Sequence, residues 1–464
     1  MFRRIQHIHF VGIGGIGMSG IAELLHNQGY RITGSDLRPE APTAQRLRRL
    51  GVEIFQGHCP EHIGDADVVV HSSAIRPENP ELVAADRRKI PVIRRAEMLA
   101  ELMRMKQGIA VAGTHGKTTT TSLVAHVLTA VGRDPTAVIG GRVLSLAGDA
   151  TGSRLGQGPW LVAEADESDG TFLDLSPVVA VVTNVDPEHL DHFGSYETLR
   201  EAFARFANRV PFWGLAVLCL DHPGVQAILP AVRRRTFTYG LSSQADLSAS
   251  ELTPDGWGMR FAVNHRGKLL GSVRLRLPGR HNVANALATL AVALELDVDF
   301  REAADALDEF LGIERRFESR GEVAGIRVVD DYAHHPAEIR ATLEAARSLH
   351  RGRVVVVFQP HRYTRTRDLF EQFAGAFHEA DCLRLTELYP AGEEPIPGIS
   401  AEALAAVIRD RGHRDVAHTG SLDDALRALL PELRAGDLVL TLGAGNISSL
   451  GPRLLEALRA EGRR

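Results

Sequence analysis

Short apolar runs alternate with longer stretches in which apolar residues recur every third or fourth position, and the alternation persists along most of the chain. Such a pattern predicts buried strands covered by helices, that is, βα units around parallel sheets in an α/β fold. The first run, Ile8 to Ile13, passes through glycines into a helix from Met18 to Asn27. A strand at Tyr30–Gly34, a helix at Thr43–Leu50 and strands at Val52–Phe55 and Asp67–His71 follow. Pro91-Val92-Ile93 and a polar helix through Met105 end this block. A second block opens with a strand at Gly108–Ala112 and continues through strands at Trp160–Ala163 and Val178–Thr183. It ends with a β-rich stretch from Ala216 to Leu277, the turn Pro278-Gly279 and an alanine-rich helix at His281–Leu296. A third block begins near Ile313, with strands at Ile326–Asp330, Arg353–Phe358 and Leu438–Leu442. A length of 464 residues suits three domains at about 150 residues each. The expected division is 1–106, 107–312 and 313–464.

Composition removes some classes of function. A net charge of −5 with no basic stripe argues against a nucleic-acid binder. Cys59, Cys219 and Cys382 are scattered without a C-x-x-C pair or metal-ligand spacing, which suits packing roles in a reducing compartment. Met1-Phe2-Arg3-Arg4-Ile5-Gln6-His7 lacks the apolar core and cleavage site of a signal peptide, and no run of about 18 apolar residues offers a membrane span. The expected location is the cytoplasm.

Two loops carry candidate phosphate chemistry. Gly12-Ile13-Gly14-Gly15-Ile16-Gly17 follows a strand and opens a helix, the setting of G-x-G-x-x-G. Glycines let the backbone approach a diphosphate, and the helix N-terminus adds N–H donors and partial positive charge. Asp36, after the second strand, stands where a ribose ligand is expected. The motif fits a dinucleotide and a nucleotide sugar equally. The second loop, Gly113-Thr114-His115-Gly116-Lys117-Thr118-Thr119, also joins a strand to a helix. There backbone N–H groups would cradle ATP phosphates, Lys117 would neutralise the β/γ oxygens, and a threonine hydroxyl would reach Mg2+. It is the short form of the motif, since the position six before the lysine is Val111 rather than glycine.

Magnesium needs further oxygen ligands. The strand ending at Ala163 delivers Glu164-Ala165-Asp166-Glu167-Ser168-Asp169, and carboxylates this dense repel one another unless a cation is near. The next strand leads into Thr183-Asn184-Val185-Asp186-Pro187-Glu188-His189, which puts His189 at the same sheet edge as Glu164 and Lys117.

Ten segments, in order, resemble the Mur ligase family: IHFVGIGGIGMSGIAELL, GTHGKTTTTS, EADESDGTF, NVDPEHLDHF, PGRHNVANALA, RRFE, VVDDYAHHPAEIRATL, FQPHRYTRTRDLF, LYPAGEEPI and LTLGAGNI. The resemblance runs from about residue 8 to 447. It implies an N-terminal Rossmann-like UDP-sugar domain, a central P-loop ATPase domain and a C-terminal Rossmann-like domain. It also implies ATP and Mg2+ as cofactors, and a UDP diphosphate on the first loop. Gly12, Gly14, Gly15, Gly17, Met18 and Ser19 would hold that diphosphate, with Asp36, Ser72 and Ser73. Position by position, Lys117 matches the phosphate-loop lysine, and Glu164 and His189, with Thr118, match the metal site. Asn282 and Asn285 match the asparagines near adenine, while Arg316 and Asp331 match residues that close over ATP. Tyr332, His334, His361, Arg362 and Arg365 resemble the group around the amino acid and transferred phosphoryl.

The EADESDGTF and LYPAGEEPI segments look most like the members that add L-alanine to UDP-N-acetylmuramate. The implied reaction phosphorylates the lactoyl carboxylate to an acyl phosphate, which the amine of L-alanine then attacks. Lys117, Arg316 and magnesium would neutralise the meeting of two anions. A histidine such as His334 or His189 could take the amine proton, a ligated or phosphate-bound one could not, and the base stays unassigned. Because the matched residues fall in two blocks, ATP is expected in a cleft that closes. Three other readings stand beside this one. The first is a recycling ligase that joins a peptide to the same sugar, and the second a nicotinamide-dependent oxidoreductase on the first glycine loop. The third is a nucleotide-gated binding protein. A monomer or weak homodimer is expected.

Overall fold

The computed structural model describes residues 5–72, 74–144 and 151–461. Ser73, one of the expected sugar-site residues, lies outside them. The described chain forms two compact units. The first takes residues up to Glu251 with Phe261–Val273 and Ala284–Leu311, and the second takes Leu252–Arg260, Arg274–Val283 and the chain from Gly312 onward. The first sequence block and most of the second thus share one unit, while Leu252–Arg260 and Arg274–Val283 of the second block fall with the third.

Three sheets carry the fold. The first is a parallel sheet in the order Glu53–Gln56, Arg31–Asp36, His7–Val11, Val68–His71, Val92–Arg94. The second has ten strands, with a parallel centre ordered Leu215–Cys219, Val179–Val182, Gln107–Ala112, Trp160–Glu164, Thr136–Val143. The third runs Glu318–Val323, Ile326–Asp331, Leu438–Leu442, Val354–Phe358, Cys382–Thr386, Val416–Gly420, antiparallel only at its first pair.

Continuous apolar sequence and two-sided burial go together here. Val354–Phe358 and Leu438–Leu442 are buried at every position. Val354, Val356, Phe358, Leu438, Leu440 and Leu442 face one core cluster, while Val355, Val357 and Val439 face another. That split is the two-residue period of a strand covered by helices on both faces. At about 25 cal/mol per Å2 of apolar area, fully burying one such valine stabilises the fold by about 1.5–3 kcal/mol.

The strands expected from sequence are present, with ends shifted by a residue or two. Several others carried no readable signal. Thr136–Val143 contains Gly140-Gly141, and Glu318–Val323 is a half-exposed polar edge strand. Pro223–Ile228 is a short helix inside the stretch read as β-rich. Among the described residues no helix is long and apolar enough to cross a membrane.

Candidate active site

The phosphate loop leaves a buried strand, Gln107–Ala112, and enters the helix Lys117–Ala130. Glycine is required at both bends. Gly113 has φ +139°, and a Cβ there would collide with Thr183 Oγ1. Gly116 has φ +80°, and its Cβ would lie 2.8 Å from Asn285 Oδ1. Asn184 fixes the arc between them: its Oδ1 accepts from the His115 N–H at 2.7 Å and its Nδ2 donates to the His115 carbonyl at 2.9 Å. The Thr114 hydroxyl accepts from the Asp186 N–H at 2.8 Å. Gly116 caps the helix without a side-chain acceptor, so no side chain of the cap claims the donors of its first turn. Thr118 and Thr119 are buried in that turn. Such an end suits an anion.

Lys117 Nζ donates to the Gly113 carbonyl at 2.6 Å and reaches the buried Glu167 carboxylate at 2.9 Å. Burial alone would lower the lysine's pKa, but Glu167, Asp166 and Glu164 outweigh it and raise it. The neighbouring Thr118 hydroxyl donates to Glu164 Oε1 at 3.2 Å, while Glu164 Oε2 accepts from the Gly140 N–H at 2.9 Å. His189 Nε2 stands 4.0 Å from Glu167 Oε1. Its own backbone is left-handed, with φ +56°, at the start of the short helix Leu190–Phe193.

Parallel pairing explains the convergence. Val111 lies beside Glu164, and Ala112 beside Val182, so three strands release their loops at one carboxyl edge. Lys117, Thr118, Glu164 and His189 meet there as expected. With Glu167 beside them, the candidate donors are the Glu164 and Glu167 carboxylates, the Thr118 hydroxyl and the His189 imidazole, a mainly hard-oxygen set of the kind that suits Mg2+. Thr120 Oγ1 donates to Asn285 Oδ1 at 3.1 Å, which ties Asn285 to the loop's helix.

The first glycine loop also stands as a strand-to-helix turn. Gly12 has φ +80°, and its N–H donates to the Ser35 carbonyl at 2.8 Å. Asp36, expected at a ribose, accepts from the Gly14 N–H at 2.8 Å and so shapes the loop itself. A Cβ at Gly14 would lie 2.8 Å from that carboxylate. Met18 and Ser19 are buried in the helix behind the loop. A cavity of about 320 Å3 joins this loop to the acidic edge, with Gly15, Gly17, Met18 and Ser72 on one side and Gly140 and Glu164 on the other.

In the second unit, Asn282 Nδ2 donates to the Pro278 carbonyl at 2.7 Å. Arg316 is bracketed by two left-handed residues, Arg315 (φ +60°) and Phe317 (φ +48°). Asp331 holds that strained turn by accepting from the Phe317 N–H at 2.8 Å and the Ala333 N–H at 2.7 Å. Burial raises its carboxyl to about 6 against the pull of Arg316. The Tyr332 ring carries both guanidiniums, Arg315 at 4.9 Å and Arg316 at 5.2 Å. His334 Nδ1 meets the Tyr332 carbonyl at 2.9 Å, and its ring centre lies 6.1 Å from that of His361. His361 stacks on Tyr389 at 5.5 Å and approaches Arg365 at 3.4 Å. Burial, with His334, Arg365 and Arg362 beside it, lowers its pKa to about 4. Arg362 binds Glu393 at 2.6 Å.

Sequence reasoning did not single out Glu167, Asn184, Arg95 or Glu393. Glu167 sat unranked in the acidic cluster, and Asn184 followed the next strand without a motif. Arg95 lies in a helix that read simply as polar.

Models of three Mur ligase parts match the chain. The catalytic domain of the Mur ligase family matches 7–107, the Mur ligase middle domain 111–293 and the Mur ligase glutamate ligase domain 315–445. A UDP-N-acetylmuramate–L-alanine ligase of Geotalea daltonii is 56% identical over 459 residues, 99% of each chain. Another, of Myxococcus xanthus, is 56% identical over 98% of this chain and 96% of its own. The solved structure of the UDP-N-acetylmuramate–alanine ligase of Thermotoga maritima superposes with a TM-score of 0.84 at 31% identity, over 99% of this chain and 100% of its own. A murein peptide ligase of Psychrobacter arcticus gives 0.73 at 27% identity, over 98% of both. With the glycine loop, the lysine loop and the acidic edge in one unit, and family models spanning nearly all of the sequence, the chain belongs to the Mur ligase family.

Proposed function

We propose that the chain joins L-alanine to the lactoyl carboxylate of UDP-N-acetylmuramate, using ATP and releasing ADP and phosphate, as a step in building peptidoglycan precursors. The observation that carries this reading is 56% identity, over 99% of both chains, to a UDP-N-acetylmuramate–L-alanine ligase. The reading includes a cytoplasmic location, supported by free thiols at Cys59, Cys219 and Cys382, and a monomer or weak homodimer.

Chemistry follows from what a carboxylate lacks. Its oxyanion is a poor leaving group, so the lactoyl oxygen first attacks the γ-phosphorus of ATP, the bond to the β-phosphate oxygen breaks, and ADP departs. The resulting acyl phosphate accepts the alanine nitrogen at its carbonyl carbon; phosphate leaves and the amine proton is lost. Lys117 and the uncapped helix start supply positive charge where the two anions meet. Thr118, Glu164 and His189, with Glu167 beside them, would hold Mg2+, whose double charge offsets the triphosphate when bound.

Gly113 to Thr119, Asn282 and Asn285 serve the nucleotide in this reading, as do Arg316 and Asp331. Gly12, Gly14, Gly15, Gly17, Met18, Ser19, Asp36 and Ser72 serve the UDP-sugar. Tyr332, His361, Arg362 and Arg365 serve the amino acid and phosphoryl group. His334 is the better proton acceptor, because Nδ1 faces the Tyr332 carbonyl as a donor and leaves the lone pair on Nε2. His189, as a metal ligand, cannot take that proton.

The test is phosphate release from Mg·ATP with UDP-N-acetylmuramate, scanned over single amino acids and a stem tripeptide. Release that needs both the sugar and L-alanine is expected. Release with the tripeptide but not with alanine would reassign the chain to the peptide-adding members, and no release would end the ligase reading.

A further inference from the structure

The first glycine loop lacks a formal positive charge. From Ile8 to Leu25 there is no lysine or arginine, yet a diphosphate carries about two negative charges. The cavity that joins this loop to Glu164 contains one cation among its described lining residues, Arg95. Its placement is unfavourable for a structural residue. Arg95 is the first residue of the helix Arg95–Arg104, where the helix dipole disfavours a positive side chain. Arg94, beside it, is answered by Glu97 at 2.9 Å and Asp174 at 3.7 Å. Arg95 meets only Asp166, at 3.8 Å, beyond hydrogen-bond distance, as its charged partner among the described residues. The guanidinium also lies over the glycine loop, since a Cβ at Gly17 would stand 2.7 Å from its Nη1. Gly17 is therefore the glycine that admits the arginine to the loop's first helical turn.

We propose that Arg95 is a substrate-binding residue that takes the diphosphate of the UDP-sugar, exchanging its loose pairing with Asp166 for the phosphate. This rests on the UDP-sugar reading above and extends it to a residue outside the glycine motif. A charge-assisted pair to phosphate adds what the loop's N–H groups cannot supply, a full charge with paired donors in a fork.

The test measures binding of UDP, which has the diphosphate but neither the sugar nor the lactoyl carboxylate, by titration calorimetry on the full chain. Arg95→Ala is expected to weaken UDP about 10- to 100-fold, Arg95→Lys to recover part of that, and uridine binding to stay level. The KM for UDP-N-acetylmuramate should rise by a similar factor, while the KM values for ATP and L-alanine stay within about twofold. Asp166→Asn separates binding from scaffolding, because it should bind UDP at least as tightly as the unmodified chain. If Asp166→Asn weakens UDP as much as Arg95→Ala does, the role is structural and the proposal fails. Unchanged UDP affinity in Arg95→Ala overturns it, and if the KM for the full substrate still rises, the arginine serves the carboxylate instead. Failure of the unmodified chain to bind UDP would sink the UDP-sugar reading itself. If Arg95→Ala does not fold, Arg95→Gln carries the same comparison.

Discussion

Lys117 and Glu167 allow stability and chemistry to be separated by two substitutions. The pair is 2.9 Å apart, with the side chains 14% and 1% exposed. At an effective dielectric of about 20 the Coulomb attraction is about 6 kcal/mol, most of it spent on removing both charges from water. Lys117→Ala leaves Glu167 buried without its cation, which costs about 3–5 kcal/mol and lowers the melting temperature by roughly 5–8 °C for a unit of this size. In that variant burial and the neighbouring Asp166 both push the Glu167 pKa above its unfolded value. A carboxyl with a raised folded-state pKa is destabilising once ionised, so the loss is full above that pKa and fades as pH falls through it. Adding Glu167→Gln removes the orphaned charge and should bring the double variant to within about 1–2 kcal/mol of the unmodified chain. Both variants should lose phosphate release by at least about a thousandfold, since the loop lysine is gone from each. Thermal unfolding between pH 5 and 8 is the assay. The reasoning is refuted if the single and double variants melt together and neither responds to pH.

Three shorter predictions accompany it. Thr118→Val keeps the side-chain shape but removes the hydroxyl on Glu164; the Mg2+ concentration for half-maximal phosphate release should rise severalfold, and an unchanged requirement would remove Thr118 from the metal set. Tyr332→Leu strips both guanidiniums of their ring, at about 0.5–2 kcal/mol each, and should raise the KM for ATP, whereas Tyr332→Phe should leave it within about twofold. Asp331 titrates near 6 in the fold against 3.8 unfolded, so its ionisation costs stability as pH rises through that window. Between pH 5 and 7.5 the extra loss is about 1–1.5 kcal/mol. Denaturant unfolding should show Asp331→Asn free of that slope, though less stable by a constant amount from its lost acceptor.

The parallel centre of each sheet was legible because strands buried on both faces must be apolar at every position, as Val179–Val182 and Val354–Phe358 are. The phosphate loop was legible for another reason. Gly113 and Gly116 hold positive φ, and Lys117 opens the helix, so backbone geometry dictates the residue types. Edge strands escaped, since one solvated side removes the pattern. Glu167 could not be told from its acidic neighbours, because what sets it apart is that its carboxylate turns inward to the lysine while Asp166 faces Arg95. Asn184 acts through the backbone of His115, a contact 69 residues away in sequence. Arg95 looked like any helix charge, and its meaning lies wholly in Gly17 and Asp166 across the fold.

The same inward turn bears on how the proposed reaction begins. Lys117 is neutralised by Glu167, and the Thr118 hydroxyl is committed to Glu164. A bare triphosphate would bring three to four negative charges against carboxylates that already lack a spare cation, and would have to compete with Glu167 for the lysine. A magnesium-bound triphosphate carries both signs. Lys117 would pair with the nucleotide's oxygens while Glu164 and Glu167 would hold the metal, so each buried charge would exchange one partner for another and none would be left unpaired. In the proposed reaction the loop would therefore favour the metal complex over free ATP, through the penalty for separating Lys117 from Glu167 with nothing to replace it.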